Sequence, residues 1–426
     1  MTGYVPLKRV ARIRYGLGQP PPLSEEGIPI IRATNVFRGK ISADNLLRAH
    51  LQDLPLDRAP LLREGEILVV RSGAYTGDSA RITSEWAGSA PGYDLRVTPQ
   101  AVDSRFAAHA LLSTAALDQI KLASTRAAQP HLNAEELGEV GLWLPSAEEQ
   151  RRIADFLDAE TARIDRLVRA REAQTGLLGQ RFGQLVDGVV AGELEALDSI
   201  GTRVDRGNWG HGKVSRFCEV IPGYAFPSSA FVTDGSGIRL LRGINVGVGD
   251  LVWEDVVSWD MVTYPVQERF QLRAGDLVLG MDRPWISSGM RITLLDESHV
   301  PALLLQRVAC LRSKSPNINM HFIHWVLRST QFRLGVESEM TGVSVPHLSG
   351  EQIGNFAFWL PSLDEQTRLA ASLEHHDSST RRLQAAMTRQ ISLLTERRQA
   401  LITAAVTGQF DVSTASGRNV TDGVSA

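Results

Sequence analysis

The sequence predicts an α+β fold built twice over: two mixed α/β domains, each followed by a long helix, with the two helices pairing as a coiled coil. Three observations predict it. An ordered set of segments recurs at a nearly constant spacing, so the chain is an internal duplication. Within each copy, short apolar runs bounded by Gly and Pro alternate with segments of helical spacing. Each copy then ends in a long proline-free stretch with heptad stripes.

The repeat is read directly. Ile28-Pro-Ile-Ile-Arg32-Ala-Thr-Asn35 aligns with Ile238-Arg-Leu-Leu-Arg242-Gly-Ile-Asn245, 210 residues on. At the same offset Leu62-Arg-Glu-Gly65-Glu-Ile-Leu-Val69 matches Leu272-Arg-Ala-Gly275-Asp-Leu-Val-Leu279, and Arg81-Ile-Thr83 matches Arg291-Ile-Thr293. The offset then becomes 216, for Pro130-His131-Leu132 with Pro346-His347-Leu348 and Trp143-Leu-Pro-Ser146 with Trp359-Leu-Pro-Ser362. It persists through Glu149-Gln150 with Glu365-Gln366, and Gly192 with Gly408.

The first part of each copy, 1–145 and 213–361, reads as a mixed domain. Glu66-Ile-Leu-Val-Val70 and Asp276-Leu-Val-Leu279 have the composition of buried strands, while 104–122 and 320–334 have helical spacing. The spacer helices follow at 146–192 and 362–410, opened by Ser146/Glu149 and Ser362/Glu365 in capping-box spacing. On the first, Ala154, Thr161, Val168, Thr175, Phe182 and Val189 form one column. Leu157, Ile164, Leu178 and Leu185 form the other, interrupted by Arg171; on the second helix Leu373, Met387, Leu394 and Leu401 hold the equivalent column. An amphipathic helix lying on its own domain would also show stripes, but at ~1.5 Å per residue each helix is roughly 65 Å long, which favours a seam. Gly192 and Gly408 suit helix C-termini. Residues 193–212 read as a linker and 411–426 as a polar, disordered tail.

Composition narrows the class. No apolar stretch is long enough to span a membrane, and no apolar segment follows the first basic residues as in a secretory signal. With only Cys218 and Cys310 no disulfide framework is expected, and a cytoplasmic location fits. No His or Cys stands at zinc-ligand spacing, so no metal is expected. The net charge of −3 means that any DNA-binding face must be a local concentration of Arg and Lys.

Two matched helices in one chain can pair parallel or antiparallel. Antiparallel pairing relates the two domains by a rotation of about 180°, the symmetry of a dimeric DNA reader on a two-part site. The strand frames of the copies agree, yet the loops after them do not: Arg71-Ser-Gly-Ala-Tyr75-Thr-Gly-Asp78 stands against Met281-Asp-Arg283-Pro-Trp285-Ile-Ser-Ser288. Unlike half-sites would require such a difference.

Three groups of residues then point to a family. Gly65-Glu-Ile-Leu68 and Gly275-Asp-Leu-Val278 resemble the Gly-Asp-Ile-Leu segment of the specificity (S) subunits of type I restriction–modification systems. Thr125-Arg-Ala-Ala-Gln129-Pro-His131 and Thr341-Gly-Val-Ser344-Val-Pro-His347 resemble the Thr/Gln-rich turn near the end of each target recognition domain. Leu142-Trp-Leu-Pro-Ser-Ala-Glu-Glu149-Gln150, with Phe358-Trp-Leu-Pro-Ser-Leu-Asp-Glu365-Gln366, is similar to the family's Leu-Pro-x-x-x-Glu-Gln opening of the spacer helix. The resemblance spans about residues 1–411. It implies an antiparallel coiled coil with pseudo-twofold symmetry and two target recognition domains, each reading half of a split double-stranded DNA target across a nonspecific gap. The helices would act as ruler and as dock for two modification (methyltransferase) subunits, with restriction subunits joining later. Met281-Asp282 in place of Arg71-Ser72, and Asp377, Thr380 and Gln384 in the second seam, depart from the pattern.

Arg and Lys suit guanine, Asn and Gln suit adenine, and Ser or Thr are tolerant. Loop positions offer Arg32, Asn35, Arg71, Tyr75 and Gln129 in the first copy, and Arg242, Asn245, Arg283, Trp285, Ser287 and Ser344 in the second. A turn hydrogen bond is the plain alternative for each. His131 and His347 read as turn residues, Trp143 and Trp359 as packing residues, and Arg163, Arg166 and Arg169 as a solvated face or a DNA- or partner-facing run. No phosphate-binding loop, methyltransferase motif or nuclease carboxylate cluster is found, so no catalytic residue and no cofactor is expected. A non-DNA interaction scaffold, two ligand-binding domains spaced by a coiled coil, is the alternative, supported by the near-neutral charge.

Overall fold

The computed structural model describes residues 3–124, 131–194, 203–337 and 346–414. They form two units, Met1–Glu172 with Met387–Ala426, and Ala173–Ala386.

In chain order the first unit contains β1 (Gly3–Pro6), β2 (Ala11–Tyr15), β3 (Ile28–Ile31), β4 (Val36–Phe37), β5 (Lys40–Ile41) and β6 (Leu47–Ala49). Next come β7 (Ile67–Val69), β8 (Ser79–Arg81), β9 (Ala90–Pro91) and β10 (Leu95–Pro99). Helices α1 (Ser104–Leu111), α2 (Thr114–Ser124) and α3 (Ala134–Gly138) follow, then β11 (Gly141–Leu144) and the long α4 (Ala147–Ala191). A four-stranded antiparallel sheet runs β2-β10-β7-β8, and a smaller one β6-β3-β9 has β3 and β9 parallel. β7 is apolar without interruption because both faces are buried: Ile67 and Val69 join the core under α1 and α3, and Leu68 joins a second core with Ile31, Val36 and Ile82.

The second unit repeats this topology. It runs β12 (Glu193–Leu194), β13 (Val204–Asp205), β14 (Gly210–Lys213), α5 (Val214–Phe217), β15 (Cys218–Pro222), β16 (Ile238–Leu241) and β17 (Ser258–Trp259). It continues with β18 (Leu277–Gly280), β19 (Trp285–Ile286), β20 (Gly289–Met290), β21 (Ile292–Leu294), β22 (Ala302–Leu304) and β23 (Val308–Ser313). α6 (Met320–Arg328), α7 (Thr330–Glu337), α8 (Gly350–Asn355), β24 (Ala357–Leu360) and the long α9 (Leu363–Val406) follow, and each unit takes part of both long helices, α4 dividing after Glu172 and α9 after Ala386. Its sheets, β15-β23-β18-β21 and β17-β16-β22, match those of the first unit strand for strand, and β14-β24 matches β1-β11.

One repeated turn has a clear physical cause. Gly65 and Gly275 both sit at φ +88°, where a side chain is strained. The next residue, Glu66 or Asp276, folds back to accept the backbone N–H of Arg63 or Arg273 at 2.8 and 2.9 Å. The same carboxylates are buried and meet Arg96 and Arg312 from the neighbouring strand, with Nε donating at 2.8 and 2.9 Å. A Gly-acid pair ahead of a buried strand is thus a turn closed by a buried ion pair.

Each unit holds an antiparallel pairing of the long helices. In the first, Asp165 on α4 pairs with Arg398 on α9 at 3.2 Å, while Trp143 just before α4 lies against Gly408 just after α9. In the second, the Thr175 carbonyl accepts from Gln384 at 3.3 Å, and Trp209, near the end of α4, donates to Glu365 in the first turn of α9. Covered positions recur in heptads: 154, 161, 168, 175, 182 and 189 with 157, 164, 171, 178 and 185 on α4, and 366, 373, 380, 387, 394 and 401 on α9. Asp377, Thr380 and Gln384 lie within the seam, and Asp377 is held there by Arg381 at 2.6 Å.

Three local features differ from expectation. Ser146 and Ser362 cap their helices through the N–H of Glu149 and Glu365, but the glutamates turn outward, to Arg152 and to Trp209. The stretch 193–212 is not an unstructured connector in its described parts: β12 pairs with β13, and β14 pairs with β24. Gly212 is there because a Cβ would strike Phe217 at 2.6 Å, a packing reason that a glycine-rich sequence conceals. The start of the 411–426 tail is likewise ordered, with Val412 buried in the first core beside Phe410, which stacks on Phe156 at 5.7 Å. No helix among the described residues is long and apolar enough to cross a membrane, and no group of metal-ligating side chains is found among them.

Candidate nucleic-acid interface

The ends of β2, β7 and β10 converge on Arg71. Its backbone N–H donates to Asp94 at 3.2 Å, and its carbonyl accepts from Leu132 at 2.7 Å. Its guanidinium lies 4.8 Å from the Tyr15 ring centroid and 2.9 Å from His131 Nε2, which must be unprotonated to accept. Both backbone and fork are therefore pre-set, leaving donors to spare on a partly exposed tip. Asp94 beneath it is 2% exposed, and burial pushes its carboxyl up to about 6 despite the opposing bond and charge of Arg71. Tyr75, half exposed on the following loop, meets Phe37 of the β4–β5 hairpin edge-on at 6.2 Å.

The second unit builds the same frame and inverts its charge. Met281, in the place of Arg71, is buried, and its carbonyl accepts from Leu348 as that of Arg71 does from Leu132. His131 bridges to Ser72, and His347 bridges to Asp282. Asp282 accepts from His347 Nδ1 at 2.7 Å and pairs with Arg307. Burial pushes the Asp282 carboxyl up, but the bonds from His347 and Arg307 outweigh it and hold it below the ordinary range. One tip offers a guanidinium with no carboxylate bonded to its side chain, held by His131 and Tyr15, the other a carboxylate between two donors.

The structure sorts the remaining candidates. Asn35 and Asn245 are 1% exposed, and each side chain clamps a loop. Oδ1 accepts the N–H of Arg32 or Arg242, while Nδ2 donates to the carbonyls of Ser42 and Asp44, or of Val252 and Glu254. Both amide hydrogens are used, so neither is free for a base. Arg32 and Arg242 close the same loops through the carbonyls of Asn45 and Asp255. Arg283 and Ser287 are exposed, with Arg283 at φ +45°. Trp285 packs on Phe332 and beneath Arg333, at 6.1 and 5.8 Å. Gln129 and Ser344 lie outside the described residues. Sequence reasoning did not single out Tyr15, Asp94 and Arg307, which only strand pairing brings to the tips.

Residues 22–174 match the family of type I restriction modification DNA specificity domains. That match covers just over a third of the chain and lies in its first copy. It is 27% identical over 253 residues to the type I restriction enzyme MjaVIII specificity subunit of Methanocaldococcus jannaschii, covering 58% of each chain. It is 30% identical over 166 residues to the EcoAI specificity subunit of Escherichia coli, covering 39% of this chain and 28% of that one. The matched part thus spans less than two thirds of each of those relatives. Among solved structures, a chain from work on complex assembly and conformational transition of a type I R-M system superposes with a TM-score of 0.72 at 18% identity, over 96% of this chain and 98% of that one. The HsdS subunit from Thermoanaerobacter tengcongensis gives 0.50 at 18% identity, over 96% and 97%. These two likenesses show that the chain shares the fold of those structures.

Proposed function

We propose that the chain is the sequence-specific DNA-recognition subunit of a type I restriction–modification complex, non-catalytic itself, reading a bipartite asymmetric target with one domain per half-site. The observation that favours this reading is the repeated frame with unlike tips, Arg71 beside His131 in one unit and Asp282 between His347 and Arg307 in the other. A guanidinium suits guanine and phosphate, whereas a carboxylate suits the cytosine amino group, so the two tips select different bases. Arg71, Tyr75 and Gln129 would act in the first domain, and Arg283, Trp285, Ser287 and Ser344 in the second, together with Asp282 and Arg307. Arg32, Asn35, Arg242 and Asn245 would support the loops. The long helices would carry two modification subunits, with restriction subunits joining that assembly.

A footprint of the chain with its modification partner on genomic fragments tests this. Two protected patches flanking an unprotected gap are expected. Binding that ignores sequence with the partner present would overturn it in favour of a non-DNA scaffold.

A further inference from the structure

We propose that Gln150 and Gln366 are positioning residues: each buried amide fixes the bearing of a domain on its long helix, and with it the base-pair spacing that the chain accepts. The inference rests on the two-part DNA reading above. Both residues sit in the first turn of a long helix and are buried, at 4% and 1% exposure. Gln150 Nε2 donates to the Pro145 carbonyl at 2.9 Å, and its Oε1 accepts the Asp103 N–H at 2.8 Å. Gln366 makes the same two bonds, with Pro361 at 3.0 Å and Asn319 at 2.9 Å, and its Nε2 also reaches the Asn317 carbonyl at 3.3 Å. Asp103 and Asn319 are the N-caps of α1 and α6. One side chain therefore ties three elements at a point: the strand leaving the domain, the first domain helix and the long helix.

The chemistry requires a primary amide. The site needs a donor and an acceptor on one planar group at this reach, in a place where an unpaired polar atom is costly. A carboxylate would set an oxygen against the proline carbonyl. Further along, the copies use different ties. Arg105 reaches Asp155 and Asp158 at 2.7 and 3.2 Å, where the second copy pairs His321 with Glu374. The N-terminus of α2 is capped by Thr403, where that of α7 is capped by Asp187. Those outer ties tolerate exchange of chemistry; the glutamine keeps its bonds to the proline carbonyl and to the N-cap N–H in both copies. Its precision matters because, over a lever arm of about 14 Å, the radius of gyration of a domain of this size, a swing of about 14° already carries a tip ~3.4 Å, one base step.

The full-length chain allows a test that does not depend on DNA. Spin labels at Glu25→Cys with Arg169→Cys report on the first unit, and at Asp234→Cys with Arg181→Cys on the second; all four positions are exposed, while Cys218 and Cys310 are buried. Gln150→Met is expected to broaden the first distance distribution at least twofold and leave the second unchanged, and Gln366→Met to do the reverse. Gln150→Glu and Gln366→Glu, which keep the acceptor, serve where a Met variant unfolds. With the modification partner, on targets whose gap differs by one base pair, the variants should lose about tenfold of the preference among gaps while still rejecting altered half-sites. Unbroadened distances in variants that keep the parent melting temperature would overturn the joint. Broadened distances with gap preference intact would overturn its effect on spacing. If the parent chain recognises no two-part target, the DNA reading falls, and the distances still decide the joint.

Discussion

Arg71 is held before any ligand arrives: Tyr15 and His131 fix its guanidinium, so on the proposed reading little side-chain entropy would remain to be lost on meeting a base. Arg71→Ala is expected to cost about 1–3 kcal/mol of DNA affinity and to relax the target at a single position of one half-site, as competition binding with single-base variants will show. Below it, Asp94 titrates near 6 in the folded chain against an ordinary value of 3.8. The folded state therefore holds the proton over that interval while the unfolded state releases it, so the stability of the first unit falls as pH rises from about 4 to about 6 and is flat above. Asp94→Asn keeps the oxygen that Arg71 bonds and removes the charge. It should stabilise the unit at pH 7 by up to about 3 kcal/mol and abolish that slope in denaturant unfolding followed at several pH values.

At the scale of elements, the glycines that end the long helices do more than stop them. Gly192 and Gly408 adopt φ of +68° and +75°. A Cβ on Gly192 would fall 2.4 Å from Arg206, and one on Gly408 2.9 Å from the Trp143 ring. Each helix end is thus locked to the strand or loop beside it. Gly408→Ala is expected to cost about 1–2 kcal/mol from backbone strain, with a further loss where Trp143 must shift, and thermal unfolding of the variant measures the sum. The seam between the helices is more polar than a leucine zipper. Arg171, Thr175, Thr380 and Gln384 interrupt it, and Asp377 is retained through Arg381 and Arg328.

For the whole molecule, the repeat predicts modular behaviour. On the proposed reading, replacing residues 213–361 with the equivalent segment of a type I specificity subunit should change one half-site and leave the other and the gap unaltered, read by sequencing methylated bases in a host with the modification partner. Inserting four residues in a long helix adds one turn, roughly 6 Å, and should lengthen the gap by about two base pairs with both half-sites kept. Changed half-sites with an unchanged gap would refute the helices as a ruler. With a net charge of −3, any grip on phosphates would have to come from local concentrations of Arg and Lys rather than from a broad basic face.

The duplication, the two strand frames and the heptad columns were legible in the sequence because each is a periodic or local property. Gly65-Glu66 and Gly275-Asp276 announce a strained turn and a capped strand whatever surrounds them. The candidate site was only half legible. Asn35 and Asn245 have the chemistry of adenine readers, but folding spends both amide hydrogens on their own loops, and their sameness in the two copies marks them as frame. Tyr15, Asp94 and His131 are far apart along the chain; the pairing of β2, β7 and β10 brings the first two to Arg71, and the bridge of His131 to Ser72 brings the third. Sequence alone therefore determined that two like frames carry unlike loops. Tertiary structure decided which polar groups those frames consume and which they leave for a ligand, because a hydrogen bond depends on distances that only packing sets.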